Sequence, residues 1–166
     1  MALFNLADLR AALPRGQRLV GLDPGARTIG VALTDVLLML ASPYGAIRRG
    51  KLKANAAEVL AVARKEGAGG VVVGLPLSMD GSYGPAATSA RDWARALGEA
   101  TGLPVALWDE RLSSSAVNRM LISEADMTRA RRAQVVDRAA AAYMLQAALD
   151  ATRPAASVAP PNPDLP

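Results

Sequence analysis

VGLDPGARTIGVALTD (Val20–Asp35) holds two short apolar stretches joined by a proline–glycine link, and its reading decides the fold. With the two residues before it, the segment divides into RLVGLD (Arg18 to Asp23) and IGVALT (Ile29 to Thr34), both of strand composition, with PGART between them suited to a hairpin. A third strand is expected near Val36 to Ala41, which makes three consecutive strands an antiparallel meander. Asp23 ends the first strand in phase with Leu19 and Gly21, where a charge demands a reason. A turn-forming aspartate before Pro24-Gly25 is one reason, and a functional carboxylate is the other.

Outward from the meander the pattern changes to alternating helices and strands. Leu3 to Leu13 has apolar residues at helical spacing and ends before Pro14. Ala54 to Glu66 reads as a helix stopped by Gly67. GVVVGLP (Gly70 to Pro76) is continuously apolar and β-branched, as a parallel strand covered on both faces is. SMDGSYG then reads as a surface loop, and Pro85 opens a helix to about Thr101 with Gly102 past its end. PVALWD (Pro104 to Asp109) is a second buried strand. Ser113 caps a short helix to Ile122, and Thr128 opens a long one to about Thr152.

This order predicts an α/β fold with a mixed five-stranded sheet, three antiparallel strands followed by parallel ones, and helices on both faces. A chain of 166 residues suits one domain, expected over residues 1–152. Beyond it Pro154, Pro160, Pro161, Pro163 and Pro166 crowd residues 153–166, too many prolines for a packed element, so a disordered tail is expected.

Composition removes whole classes of chemistry. There is no cysteine and no histidine, which excludes disulfides, thiol nucleophiles, Cys/His zinc sites and imidazole bases. Any catalysis must use carboxylates, lysine, hydroxyls or a metal on oxygen ligands. A formal charge of +4 favours polyanions as partners. The amino terminus carries Asp8 and lacks the basic region and apolar core of a signal peptide, and no apolar run reaches the ~18 residues of a membrane span. A cytoplasmic protein without a membrane partner is the expectation.

Two further acids draw attention. Asp109-Glu110 closes the second parallel strand, and ligands of open α/β sheets gather beyond the carboxyl ends of such strands. A loop that merely begins with charges gives the same pattern. Asp137 has Ala130, Ala133, Gln134, Ala140, Ala141 and Met144 as its helical neighbours, so it lies on an apolar face and needs a partner. An ion pair with Arg111 or Arg138 would satisfy it; so would a cation shared with the other acids.

Three carboxylates converging from a first strand, a parallel strand end and a closing helix suit Mg²⁺ or Mn²⁺. Two such ions, roughly 3.5–4 Å apart, clamp the attacking and leaving oxygens of a phosphodiester. Candidate phosphate contacts are Arg27, Arg111, Arg129, Arg131 and Arg132. Lys51 and Lys53 read as surface residues, and Trp93 and Trp108 as core rather than base-stacking platforms.

In GLDPGARTIGVALTD, VVVGLPLSMDGSYGP, LWDERLSS and VVDRAAAAYMLQ, taken in order from about Arg18 to Asp150, the chain resembles the YqgF family, also called RuvX, of the ribonuclease H-like superfamily. The resemblance implies a ribonuclease H-like fold and a metal-dependent nuclease. That family is associated with maturation of the 5′ end of the 16S ribosomal RNA precursor, and with Holliday junction resolution. Its acidic positions fall on Asp23, Glu110 and Asp137, with Asp23 expected to bridge two ions and the others each to complete one coordination sphere. Gly74-Leu75-Pro76 and the loop Met79-Asp80-Gly81-Ser82 are expected to flank the substrate. Arg111 either orients Glu110 or touches a phosphate, and Asp35 and Asp80 are secondary candidates.

Pro24, Ala26 and Thr28 depart from the family pattern, which puts phosphate contacts of the first hairpin in doubt rather than the metal site. Two rivals remain. Sugar kinase and actin-like ATPases share the strand with Asp-x-Gly, here Asp23-Pro24-Gly25, but need two such domains. A binding module for structured RNA would need only the basic face. The partners expected are precursor 16S RNA, alone or on a ribosomal particle, or branched DNA, for a monomer or homodimer. A dinucleotide site is excluded, since Gly21, Gly25 and Gly30 lack GxGxxG spacing.

Overall fold

The computed structural model describes residues 3–75, 84–109 and 129–154, and their side chains except at Ala86, Asp109 and 129–138. The elements are α1 (Leu6–Ala12), β1 (Arg18–Pro24), β2 (Thr28–Thr34), β3 (Ala41–Arg48), α2 (Leu52–Glu66), β4 (Ala68–Leu75), α3 (Pro85–Thr101), β5 (Val105–Asp109) and α4 (Arg129–Ala151). One five-stranded sheet has the order β3-β2-β1-β4-β5. β1 pairs antiparallel with β2 and parallel with β4; β2–β3 is antiparallel and β4–β5 parallel. The expected mixed sheet is therefore the observed one.

Alternation along the strands sorts their side chains between two cores. Val20, Leu22, Ile29, Val31, Val71 and Val73 pack under α2 and α3, through Val59 and Leu97. Leu19, Ala32, Val72 and Ala106 face the other way, under α1 and α4, through Leu9, Met144, Leu145 and Leu149. Both faces of the central strands are dry, which is why β4 reads as an unbroken apolar run. Gly67 and Gly102 close α2 and α3 in the left-handed conformation.

The third strand lies later than the sequence predicts. Val36 to Leu40 is apolar, yet these residues form a turn, with Leu38 at φ 56°. The Asp35 carboxylate takes the backbone N–H groups of Met39 (2.7 Å) and Leu40 (3.0 Å), which offers this stretch an alternative to ladder bonds. Pairing with β2 begins only at Ala41, opposite Thr34, and runs to Arg48. Val36, Leu37, Met39 and Leu40 stay exposed, so their apolarity was a misleading strand signal.

Asp35 makes this turn acid-sensitive. Burial pushes its carboxyl up, but the N–H donors of Leu40, Met39, Leu37 and its own residue outweigh that and hold it below the ordinary 3.8. Its stabilisation is complete above that ordinary value and is lost as pH falls through the lower folded-state value. Asp35→Asn, which keeps an acceptor oxygen but does not titrate, should flatten the fall in melting temperature over about pH 5 to 2. An unchanged acid slope would remove Asp35 from the account.

α1 is shorter than the expected Leu3 to Leu13 because Phe4 instead bonds the Val105 carbonyl (2.8 Å) and bridges Ala106 beside β5. Asn5 caps it, its side chain accepting from Ala7 N–H at 2.9 Å. Arg10 of α1 donates to the Leu149 carbonyl (2.8 Å) and the Thr152 hydroxyl (3.2 Å), satisfying the carboxyl end of α4. The predicted helix from Ser113 to Ile122, the SMDGSYG loop from Ser78 to Tyr83, and the tail from residue 155 lie outside the described residues. No described helix is long and apolar enough to cross a membrane.

Candidate active site

The carboxyl ends of the three parallel strands form one edge of the sheet. β1 brings Asp23 there, on the face that carries Leu19 and Gly21. β5 ends at Asp109, paired with Leu75 of β4. With β4 between them, the ends of β1 and β5 stand about 10 Å apart, two strand spacings. Val105 and Leu107 of β5 belong to the core on the α2–α3 face. Ala106 and Trp108 share the α4 face with Asp23, and Glu110 lies outside the described residues.

α4 crosses that face antiparallel to β1. Its end lies by α1, where Leu149 and Leu19 share a cluster, and one turn earlier Leu145 lies against Gly21. A Cβ on Gly21 would meet Leu145 Cδ2 at 2.9 Å and Cβ at 3.0 Å, so glycine permits this approach. Gln146 adds a polar tether, accepting from Ala41 N–H (2.8 Å) and donating to the Met39 carbonyl (3.1 Å). Asp137 precedes Leu145 by eight residues, about 12 Å along a helix, while Asp23 lies two residues, about 7 Å, beyond Gly21. The helix therefore carries the Asp137 backbone to the carboxyl edge of β1, about 5 Å past Asp23. Arg129, Arg131 and Arg132 occupy the first turn beyond it.

Asp23 itself is half-buried. No hydrogen bond or ion pair engages its carboxylate among the described residues. A turn aspartate would spend its oxygens on nearby backbone N–H groups, as Asp35 does and Asp23 does not. The hairpin is closed instead by Gly25 N–H to the Thr28 carbonyl at 2.9 Å, and a Cβ on Gly25 would come within 2.7 Å of that oxygen. Arg49 braces it from outside: its Nη1 donates to the Gly25 carbonyl at 2.8 Å, and its guanidinium lies over the Trp93 ring, 5.7 Å from the centroid.

Of the basic candidates, Arg27 is exposed in this hairpin. Beside it stand Arg48 and Arg49, which sequence reasoning missed. The register Thr28↔Arg48 would have found them, but placing the third strand at Val36 to Ala41 left them in a loop. Lys51 and Lys53 are exposed, and Trp93 and Trp108 are half-buried against the two cores. Glu110, Arg111, Asp80, Gly81 and Ser82 lie outside the described residues, so among those described no three acids meet.

A family model described as "RuvX: Holliday junction resolvase" matches residues 17–151. A protein of Gluconacetobacter diazotrophicus named "Putative pre-16S rRNA nuclease" is 68% identical over 152 residues, covering 92% of this chain and 99% of its own length. One of the same name in Gluconobacter oxydans is 64% identical over 156 residues, with 94% and 98% covered. Among solved structures, T. thermophilus RuvC in complex with Holliday junction substrate aligns with a TM-score of 0.50 and 20% identity, over 81% of this chain and 94% of that one. At that identity the likeness is one of fold, and the fold is the ribonuclease H-like one.

Proposed function

The chain belongs to the RuvX family, and on that premise we propose that it is a metal-dependent nuclease that matures the 5′ end of the 16S ribosomal RNA precursor. It is a nuclease, a hydrolase of phosphodiester bonds. The precursor as substrate rests on the names of relatives that are 64% to 68% identical over nearly their whole length. Such a substrate places its work in the cytoplasm, on free RNA or a ribosomal particle.

The observation that carries the metal is Asp23. A half-buried carboxylate with no partner among the described residues is costly, and a bound cation offsets that cost. The donors fit a hard ion: the chain has no histidine or cysteine, and Asp23, Glu110 and Asp137 would hold Mg²⁺ or Mn²⁺ through oxygen alone. When bound, such ions polarise the phosphoryl group and lower the pKa of water enough to supply a nucleophile without a histidine base.

The chain's own part is placement. β1 sits inside the sheet, hydrogen-bonded on both sides, so Asp23 is held by a rigid element. Asp137 belongs to a helix whose register on β1 is set by Leu145 on Gly21. The arginines of the hairpin and of the first turn of α4 offset phosphate charge on either side.

Branched DNA is the second reading, favoured by the family's description. Paired cuts at a junction call for a symmetric dimer, whereas trimming an RNA end needs only a monomer. A 5′-extended 16S fragment and a four-way DNA junction, offered together with Mg²⁺, Mn²⁺ or chelator, should show metal-dependent cutting that favours the RNA. Preference for the junction would overturn the assignment of substrate. Binding without cutting in either metal would leave the RNA-binding module.

A further inference from the structure

Beside the hairpin lies a pocket of about 670 Å³ lined by Ala26, Arg27, Thr28, Ala46, Arg48 and Arg49. No acid lines it among the described residues. Arg49 is already engaged, on the Gly25 carbonyl and the Trp93 ring. The guanidinium groups of Arg27 and Arg48 have no hydrogen-bond or ion-pair partner among the described residues, and both residues are exposed.

Strand register ties this pocket to Asp23. Asp23 pairs with Gly30, Gly30 with Ala46, and Thr28 with Arg48. Ile29 and Ile47 belong to the core under α2 and α3, so Thr28, Gly30, Ala46 and Arg48 share the opposite face, that of Asp23. Gly30 is buried, while Ala46, exposed beside Arg48, lines the pocket with a small side chain that lets a polymer backbone come close. Two strand spacings across and two residues along put the Cα atoms of Asp23 and Arg48 about 12 Å apart.

We propose that this pocket holds a backbone phosphate of the nucleic-acid substrate away from the cut, between Arg27 and Arg48. The inference rests on the nuclease reading above and deepens it. A separation of about 12 Å exceeds the spacing of neighbouring phosphates on one strand, so this phosphate lies beyond the nucleotides that flank the scissile bond directly. Arginine suits the role, since its planar fork can bind two phosphate oxygens at once. A phosphate contact positions the strand without reading bases, so the pocket contributes register and affinity rather than sequence preference.

Binding of a labelled 5′-extended 16S fragment, followed by fluorescence anisotropy in chelator over a range of salt, tests this without any cleavage. The double variant Arg27→Ala/Arg48→Ala should weaken binding roughly ten-fold or more and reduce the salt slope by about 0.7 per lost contact on a single strand. Arg48→Lys should keep the slope while losing part of the affinity. In cleavage, the double variant should raise KM more than it lowers kcat on a fragment extending several nucleotides on both sides. Its defect should shrink on one trimmed to a single nucleotide either side of the cut. Unchanged affinity and slope, or an equal defect on the trimmed fragment, would overturn the pocket's role while leaving the nuclease intact. A wild type that neither binds nor cuts would sink the nuclease reading itself.

Discussion

Asp23→Asn should reduce cleavage by roughly 10³-fold or more, about 4 kcal/mol of transition-state stabilisation, while the protein stays folded. The size follows from its place. Asp23 is the acid whose side chain the structure describes at the carboxyl edge of β1, half-buried and without a partner among the described residues. Asparagine keeps shape and one acceptor but removes the charge that a divalent ion needs. The substitution has a second readout, independent of turnover. A ligand that binds only the folded state stabilises it by about 2.7 kcal/mol at 100 times its dissociation constant. Wild type should therefore melt higher with Mg²⁺ or Mn²⁺ than in chelator, and Asp23→Asn should show little of that rise. In chelator the variant should be at least as stable as wild type, because a half-buried charge without a partner has been neutralised. A variant that still cuts, or that keeps the full metal-induced rise, would refute the role given to Asp23.

Leu145→Ala should cost about 2–5 kcal/mol, since the side chain is fully buried where α4 crosses β1. Against a total stability of about 5–15 kcal/mol this is a large fraction, a fall of roughly 5–15 °C in melting temperature. Gly21→Ala attacks the same contact from the strand side, pressing a Cβ to 2.9 Å from Leu145 Cδ2, and should cost about 1–3 kcal/mol. Combined, the two changes relieve one another, because the new methyl enters the space that Leu145 has left. The double variant should be more stable than the sum of the single effects by about 0.5–3 kcal/mol, measured by urea titration. Strict additivity would mean that Leu145 and Gly21 do not set the helix-to-strand distance. Because that distance also carries Asp137 toward Asp23, Gly21→Ala should lower cleavage by up to about 10²-fold while remaining folded.

Much of the architecture was legible because it rests on local patterns. The hairpin announced itself through Pro24-Gly25, the buried strand β4 through GVVV, and α3 through Pro85 at its start and Gly102 past its end. Composition narrowed the chemistry by elimination. Without histidine or cysteine, any metal bound here would have to be held through oxygen ligands. What misled was VLLML (Val36 to Leu40), where apolar composition is overridden by the Asp35 side chain bonding its own turn. Moving β3 to Ala41–Arg48 in turn brought Arg48 and Arg49 beside the site, a consequence no local signal announced.

The sequence by itself determined the order of the elements, the mixed sheet and the ranks of acids and bases available, because propensity, capping and period are properties of neighbouring residues. Only the tertiary structure decided that Arg48 lies on the face of the sheet that carries Asp23, with Arg27 beside it in the hairpin, and that α4 carries Asp137 to the carboxyl edge of β1. Those placements depend on register between strands and on one close contact, Leu145 on Gly21. Register is set by pairing between segments distant in the chain, and a slip of one residue turns every side chain to the opposite face.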